Sequence, residues 1–348
     1  MKVTFIIGNG FDLRLGMRTS YKDMYNQYLQ TDSSCLAVKE FKEHLASDKE
    51  NEYETWADFE IAMGEYASHF DNENDFITCI RDFKAFVIHY LEDEQSKYFS
   101  YLREKGMYNL YNAIMTESLE SFYKGQTRNV VNEINYLGGS VSIIENCDFI
   151  TFNYTTVLDF LANQCSRFKD SPLVNRIVHI HGKIGEDIVL GINDITQFNK
   201  LKFPVTRRVK RAFIKPEFNN QYDERRVIDA INKIKQSDVI CIYGMSLGDS
   251  DEMWRNQIYN WLLADKNHHL VYYVYDTKTF DSWNRDAIMD EEEIRKDALL
   301  DKLCKLKEER DSLFSQIHIP VGFDIFDFDE RIAKAPKPPK PMGNLKAM

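Results

Sequence analysis

The chain has 348 residues, of which 43% are hydrophobic and 28% charged, as in a globular protein with a sizeable core. Its net charge of −11 argues against a general nucleic-acid coat, because phosphate backbones repel acidic surfaces. No apolar run reaches the roughly 18 residues of a membrane span and no signal peptide is apparent, so a cytoplasmic protein without membrane contacts is expected. The six cysteines are scattered without a C-x-x-C pair, which fits reduced thiols and predicts no metal site.

The N-terminal third combines one strand pattern with a long helical pattern. Residues 2–7 form an apolar, β-branched run that stops at Gly8, which predicts a buried strand followed by a glycine turn. Residues 20–135 are predicted to be almost wholly helical, with apolar residues at helical spacing between Ile77 and Tyr101. We interpret this block as a helical insertion.

Strand patterns return after the helical block and alternate with helices. Strands are predicted over residues 148–152, 176–180, 187–190, 238–243 and 269–275, and helices over 225–236, 250–263 and 290–316. This alternation predicts an α/β fold with a doubly wound, mostly parallel, Rossmann-like sheet. The predicted domains are a nucleotide-binding α/β domain (residues 1–19 and 140–330), a helical insertion (20–139) and a disordered Pro/Lys tail (333–348).

Four polar turns follow the predicted strands and carry residue types suited to nucleotide binding. They are Gly8-Asn9-Gly10-Phe11-Asp12, Thr151-Phe152-Asn153-Tyr154-Thr155, His179-Ile180-His181-Gly182-Lys183 and Tyr243-Gly244-Met245-Ser246-Leu247-Gly248. Glycines let a backbone approach phosphate, asparagine suits a ribose, and a histidine at a strand end suits a general base. Because the carboxyl ends of parallel strands share one edge, the four turns are predicted to converge on one cleft.

Each turn also has a structural interpretation. The glycines fit an ordinary tight turn, and Asn153 fits the cap of a helix that begins near Thr155. His179 and His181 are predicted to lie on the same face of a strand, but His179 is favoured as a structural histidine and His181 as a functional one. Asp249 fits a helix cap.

Two charged features lie outside the turns. Glu60, in the helical block, either reaches the cleft or is a solvated carboxylate, and the second interpretation is favoured. A basic stretch over residues 200–215 reverses the acidic character of the chain and consists of Lys200, Lys202, Arg207, Arg208, Lys210, Arg211 and Lys215. It suits nucleic acid, phage components or ligand phosphates, although a solvated face or an oligomer contact is favoured.

The four turns, in this order and spacing, resemble the AbiH family of phage abortive-infection proteins from the N-terminus to about residue 275. They are similar, more distantly, to sirtuin-like NAD-binding domains. By that resemblance, Gly8 and Gly10 cradle a pyrophosphate, and Gly244 and Ser246 hold the adenosine-side ribose or phosphate. The other expected nucleotide contacts are Asn9, Phe11, Asp12, Tyr154 and Leu247. The zinc-binding cysteines of deacetylating sirtuins are absent, which argues against deacetylation.

The resemblance implies that NAD is the substrate and is hydrolysed to ADP-ribose and nicotinamide. Asn153 then holds the nicotinamide ribose or a water molecule, and His181 is the base. The alternatives are a nucleotide-binding sensor without turnover and a nucleic-acid-acting toxin that uses residues 200–215. The expected partners are a nucleotide, a second copy of the chain and a phage-derived trigger, while nucleic acid is not favoured.

Overall fold

The computed structural model of the chain describes most of the predicted elements. The described residues are 1–47, 60, 63–123, 125–137, 144, 146–165, 173–186, 188–192, 194–198, 200–215, 224–248, 251–275, 284–304, 306–326 and 328. The predicted tail over residues 333–348 lies outside them, and so does the predicted capping residue Asp249.

Six parallel strands form one sheet in the described part of the chain. They are β1 (Lys2–Ile7), β2 (Asn146–Thr151), β3 (Leu173–His179), β4 (Val239–Tyr243), β5 (His269–Tyr273) and β6 (Ile317–His318). Their order across the sheet is β3-β2-β1-β4-β5-β6, and every neighbouring pair is parallel. This is the strand order of a Rossmann-type doubly wound sheet, so the predicted fold class is confirmed.

Two strand predictions differ from the structure. The described residues 188–190 of the predicted strand over 187–190 are not a strand, although Ile188 and Leu190 are buried. Their apolar side chains pack into a helical core, and the Val189 N–H bonds to the carbonyl of His181 instead of to a neighbouring strand. The pattern also missed β6, because two residues are too few to form a recognisable apolar run.

Helices flank the sheet and fill the insertion. They are α1 (Gly10–Arg14), α2 (Tyr21–Gln30), α3 (Leu36–Ser47), α4 (Glu73–Lys105), α5 (Tyr108–Ser121), α6 (Arg128–Asn135), α7 (Val157–Cys165), α8 (Arg207–Phe213), α9 (Glu224–Gln236), α10 (Glu252–Ala264), α11 (Arg285–Leu303) and α12 (Lys307–Phe314). The single helix predicted over 290–316 is therefore two helices. The backbone becomes extended at Cys304 and Leu306, which ends the first helix and precedes the second.

The core consists of three groups of buried side chains. One group covers one face of the sheet and includes Phe5, Phe149 and residues from α5 and α7. A second covers the opposite face with residues such as Ile6 and Trp261. The third joins α2, α3 and the first half of α4 to residues 188–214. The helical block therefore packs against both the sheet and the segment that follows β3, and its division into a separate domain stays a prediction.

No helix in the described ranges combines the length and the apolar character that crossing a membrane requires.

Candidate functional site at the carboxyl edge of the sheet

The turns after β1 and β4 lie side by side at the point where the strand order reverses. The Gly8 N–H bonds to the Tyr243 carbonyl at 2.9 Å, and the Gly10 N–H bonds to the Gly244 carbonyl at 2.9 Å. In Rossmann-type sheets, ligands bind in the crevice at this switch point. The structure thus brings two of the four predicted turns into direct contact at the expected position.

Direct backbone contact explains why these positions are glycines. A Cβ atom on Gly8 would lie 2.4 Å from the Gly244 oxygen, and one on Gly10 would lie 2.5 Å from the Gly244 Cα. Gly244 itself has a φ of +67°, which favours glycine. The N–H groups of Gly8, Gly10 and Phe11 all donate to protein carbonyls. In this conformation those three groups are engaged within the protein and not directed at a ligand.

The side chains of Asn9 and Phe11 also have protein partners. The Asn9 amide donates to the Thr19 carbonyl at 2.9 Å and accepts from the Thr19 hydroxyl at 2.8 Å. Phe11 is fully buried and packs edge-on against Phe326, with ring centroids 5.1 Å apart. The side chains of both residues therefore stabilise the turn through contacts within the protein, and neither is left open to a nucleotide.

Asp12 lies at the centre of the edge, bonded to the turn after β2. Its Oδ2 accepts a hydrogen bond from the Thr155 hydroxyl at 2.7 Å, while its buried Oδ1 has no partner among the described residues. Burial raises the pKa of the carboxyl to about 6, although the Thr155 bond, the Asn153 amide and the His179 charge lower it. A carboxyl with a pKa near neutrality and one uncommitted oxygen is suited to exchange protons with a ligand.

Asn153 presents a second uncommitted polar group beside Asp12. The residue is only 4% exposed, and neither its Oδ1 nor its Nδ2 reaches a partner at hydrogen-bond distance and angle within the described part of the chain, although the amide lies near enough to the Asp12 carboxyl to lower the pKa of that group. The alternative that Asn153 caps the following helix is therefore wrong, and α7 begins later, at Val157. Because buried amides are almost always hydrogen-bonded, this pair of orphan atoms marks a place for a ligand or an ordered water.

His179 is held from both sides. Its Nδ1 is 3.1 Å from the Asn153 carbonyl oxygen, and its Nε2 is 2.8 Å from the Asp159 carboxylate. The interpretation of His179 as a structural histidine is confirmed, since the residue is buried and each ring nitrogen lies within hydrogen-bond distance of a protein acceptor. The contact with Asn153 also fixes the backbone from which the orphan amide projects.

His181 lies beyond the end of β3, in a turn, so the prediction that it shares a strand face with His179 is wrong. Its ring packs edge-on against Phe152 at 5.3 Å and lies 6.1 Å from the Tyr154 ring. Desolvation, followed by the nearby Lys215 charge, holds the pKa of His181 well below 6.5, although part of the residue is exposed. The imidazole is therefore neutral at pH 7, and no described residue hydrogen-bonds to its nitrogens.

Tyr154 connects His181 to the segment after β3. Its hydroxyl donates to the Val189 carbonyl at 3.0 Å, and its own carbonyl accepts from the Ile184 N–H at 2.8 Å. The predicted nucleotide contact through Tyr154 would therefore involve its ring and not its hydroxyl. Successive residues of this turn thus contact different neighbours. The side-chain amide of Asn153 has no well-formed hydrogen bond, the Tyr154 ring lies beside His181, and the Thr155 hydroxyl donates to Asp12.

Glu60 and Lys215 form a buried ion pair near His181. The two charged groups are 2.5 Å apart, and Glu60 also accepts a hydrogen bond from the Gly191 N–H at 3.0 Å. The prediction that Glu60 is solvated is wrong, because its side chain is only 6% exposed. Burial raises the pKa of Glu60 more than its two partners lower it. Asp251 belongs to the same electrostatic neighbourhood, and burial raises its pKa while Lys215 opposes that effect.

The two other predicted ligand contacts in the turn after β4, Ser246 and Leu247, lie in different environments. Ser246 is exposed, and its carbonyl accepts a hydrogen bond from Lys302 at 3.1 Å. Leu247 is fully buried in the core, with a φ of +52° that branched residues rarely adopt. The side chain of Leu247 is therefore a packing element, and any ligand contact at that residue must come from its strained backbone.

Three of the seven residues of the basic stretch pair with carboxylates of the helical insertion. Lys202 pairs with Asp71 and Arg208 with Glu73, both at 2.8 Å, while Lys215 is the buried partner of Glu60. The interpretation of the whole stretch as a solvated face is thus wrong for Lys215. Pairing with carboxylates also weakens the electrostatic basis for nucleic-acid binding.

A surface cavity opens on the far side of His179, beyond the edge strand β3. It is lined by Asp159, Asn163, Ile177, Val178, His179, Lys183, Glu186, Arg226 and Asp229. Its charges are mixed and largely paired, as in the contacts of Lys183 with Asp159 and of Arg226 with Glu186.

Sequence patterns did not reveal several residues that build the site. Thr155 was part of a predicted turn, but no role was predicted for it. Asp159, Gln95 and Lys215, which are the partners of His179, Thr156 and Glu60, were not predicted to contact the site. Gln95 accepts hydrogen bonds from the N–H and the hydroxyl of Thr156 at 2.6 and 3.1 Å. These contacts join positions 61 or more residues apart, except for the His179–Asp159 contact across 20 residues. No local periodicity carries such information.

Comparison with known proteins identifies one matching family. The model of a protein family described as bacteriophage abortive infection AbiH matches residues 4–273, a range that includes the turns after β1, β2, β3 and β4. A search of curated proteins found no match.

Proposed function

The chain belongs to the bacteriophage abortive infection family AbiH, and from this premise we propose that it is a cytoplasmic phage-defence protein that hydrolyses NAD. The family match covers the strands and turns that form the carboxyl edge of the sheet. The proposed site is that edge, with Asp12, Asn153 and His181 as the acting groups. Its products are ADP-ribose and nicotinamide.

The observation that carries the proposal is the set of uncommitted polar atoms on Asp12 and Asn153. Both side chains are almost fully buried at the switch point of the sheet, where Rossmann-type folds bind nucleotides. The two groups are neighbours, but the Asp12 Oδ1 and both polar atoms of the Asn153 amide lack a well-formed hydrogen bond within the described residues, which is costly unless a bound group satisfies them. A ribose, whose hydroxyls both donate and accept, satisfies both.

The chemistry suits a carboxylate of raised pKa. Water attacks C1′ of the nicotinamide ribose, the bond from C1′ to the ring nitrogen breaks, and its electron pair returns to the ring as neutral nicotinamide leaves. The water proton passes to the Asp12 carboxylate and not to His181, the base that the sequence suggested, because Asp12 is ionised at pH 7 but more basic than an exposed aspartate, whereas burial lowers the pKa of His181. Asn153 orients the ribose or the water, and the neutral His181 offers a donor and an acceptor to a ribose hydroxyl.

A second candidate is nucleotide binding without turnover. One observation favours it: the N–H groups of Gly8, Gly10 and Phe11 already donate to protein carbonyls, so the first turn does not offer them to a pyrophosphate. A sensor that binds a nucleotide through the Asp12 and Asn153 side chains alone is compatible with this closed turn.

The test is the release of nicotinamide from NAD by the purified chain and by matched pairs of variants. Asn153→Ala and His181→Ala are compared with Asn129→Ala and His89→Ala, which replace exposed residues on α6 and α4. We expect nicotinamide release by the wild type and by both control variants, and at least a roughly 100-fold loss in the two site variants.

The two functions give different results in this assay. Binding of NAD or ADP-ribose without nicotinamide release, abolished by Asn153→Ala, supports the non-catalytic sensor and contradicts hydrolysis. Absence of both binding and release contradicts a nucleotide site at this edge.

A further inference from the structure

Helix α4 extends from the insertion to the candidate site. Its 33 residues span about 50 Å. At its N-terminal end, Glu73 accepts hydrogen bonds from Thr206 at 2.5 Å and from Arg208 at 2.8 Å, which ties the helix to the basic stretch. Its middle carries buried residues such as Phe83 and Val87 in the core of the insertion. The remaining turns of the helix reach the loops around Asp12.

One set of contacts joins α4 to the loop after α1. The Tyr90 hydroxyl donates to the Arg18 carbonyl at 2.8 Å, and the Arg18 N–H donates to the Glu94 carboxylate at 3.3 Å. The next residue, Thr19, is bonded twice to Asn9 in the glycine turn. The helix therefore holds the glycine turn after β1 indirectly, through Arg18 and Thr19.

A second set joins α4 to the turn after β2. The Gln95 Oε1 accepts hydrogen bonds from both the N–H and the hydroxyl of Thr156. The preceding residue, Thr155, donates to Asp12, and Asn153 lies two positions earlier. One amide oxygen on α4 thus holds the turn that carries both the partner of Asp12 and the orphan amide.

We propose that Gln95 is a positioning residue for the Asp12–Asn153 site and that α4 is the element through which the helical insertion controls that site. A shift of α4 by a fraction of an ångström moves the turn over residues 153–156 and the loop at Arg18 together, because both are bonded to the same two turns of the helix, between Tyr90 and Gln95. The predicted effect of Gln95 on catalysis rests on the proposed function. Its predicted effect on the pKa of Asp12 does not.

The experiment uses the full chain with Gln95→Ala, Gln95→Glu and Ser96→Ala. The glutamate keeps an acceptor oxygen for Thr156, and Ser96 is an exposed neighbour on the same helix. Gln95→Ala is expected to lower kcat for nicotinamide release roughly 10- to 100-fold with little change in KM, while Gln95→Glu retains most of the activity. Ser96→Ala is expected to match the wild type.

A second readout does not require activity. The Asp12 carboxyl is titrated by 13C NMR in protein labelled at aspartate, with Asp12→Asn to assign the signal. In Gln95→Ala the pKa of Asp12 is expected to rise further, by about half a unit, because the Thr155 hydrogen bond that lowers it is loosened. If Gln95→Ala does not fold, Thr156→Val, which removes one of the two bonds to Gln95, replaces it.

The two readouts separate the possible failures. An Asp12 titration in Gln95→Ala identical to that of Ser96→Ala overturns the positioning role, whether or not NAD is hydrolysed. A shifted titration in a chain that releases no nicotinamide supports the positioning role and rejects the hydrolase. A loss of thermal stability with unchanged kcat and unchanged titration shows a purely structural role for Gln95 and also overturns the proposal.

Discussion

Asp12 is the residue at which function and stability oppose each other. Its folded-state pKa is raised from 3.8 to about 6, so the folded protein holds the proton more tightly than the unfolded chain does. This contribution to stability is fully present below pH 3.8 and is lost as the pH rises through about 6. An ionised Asp12 at pH 8 therefore destabilises the fold by an amount on the order of 3 kcal/mol.

We expect Asp12→Asn to be more stable than the wild type at pH 8 and equally stable near pH 4. The asparagine keeps an acceptor for the Thr155 hydroxyl but cannot ionise. Denaturant unfolding at the two pH values measures the difference, and its disappearance at low pH is the internal control. A variant that is less stable than the wild type by the same amount at both pH values would show that the Asp12 charge is not desolvated.

The sequence predicted Asp12 and Asn153 to be site residues, but their burial and hydrogen bonding depend on distant partners. Thr155 is 143 positions from Asp12 along the chain, and His179, which holds the Asn153 carbonyl, is 26 positions from Asn153. Residue type and position after a strand are local properties, so they could be predicted from the sequence. Burial, the orphan atoms and the raised pKa result from tertiary packing, so no pattern of residue types predicted them.

At the scale of elements, the turns after β1 and β4 are in direct backbone contact at the point where the strand order reverses. We expect Gly8→Ala to destabilise the protein by several kcal/mol, because the new Cβ would lie 2.4 Å from the backbone oxygen of Gly244 in the turn after β4. Gly16→Ala is the matched control. It has a φ of +79° but no atom within 4 Å of a new Cβ, so only the backbone cost of about 1 kcal/mol applies. Thermal unfolding of both variants is compared, and similar melting temperatures would contradict a packing role for Gly8.

Elements with strong local patterns were predicted well, and the exceptions have physical causes. The runs that became β1, β4 and β5 are buried on both faces, which gives a largely apolar sequence. Residues 188–190 show the same apolar character but face a helical core, so the pattern was correct about burial and wrong about conformation. The break between α11 and α12 lacks glycine and proline and gave no signal.

At the scale of the whole molecule, the Glu60–Lys215 pair joins the insertion to the segment after β3. We expect Glu60→Gln to destabilise the protein by about 3–5 kcal/mol, because it leaves the Lys215 ammonium buried and unpaired. Glu73→Gln breaks the more exposed pair with Arg208 and serves as the control, with a change within about 1 kcal/mol. Denaturant unfolding of the single variants and of Glu60→Gln combined with Lys215→Met measures these effects.

The double variant is expected to recover most of the lost stability, since it removes the unpaired charge. Equal destabilisation by Glu60→Gln and Glu73→Gln would contradict a buried ionic connection between the two parts of the chain. The connection spans 155 positions and joins residues for which sequence reasoning favoured solvent exposure. Each residue type taken alone is usually exposed, and only their mutual burial in the fold reverses that expectation.

The central claim is that the Asp12 carboxylate acts on a nucleotide at the carboxyl edge of the sheet. The most direct test is the rate of nicotinamide release from NAD between pH 5 and 8, for the wild type and for Asp12→Asn. We predict that kcat/KM rises as Asp12 ionises, with a midpoint near its pKa of about 6, and that Asp12→Asn is inactive throughout. Nicotinamide release that is retained by Asp12→Asn, or that shows no such rise in the wild type, would contradict the account.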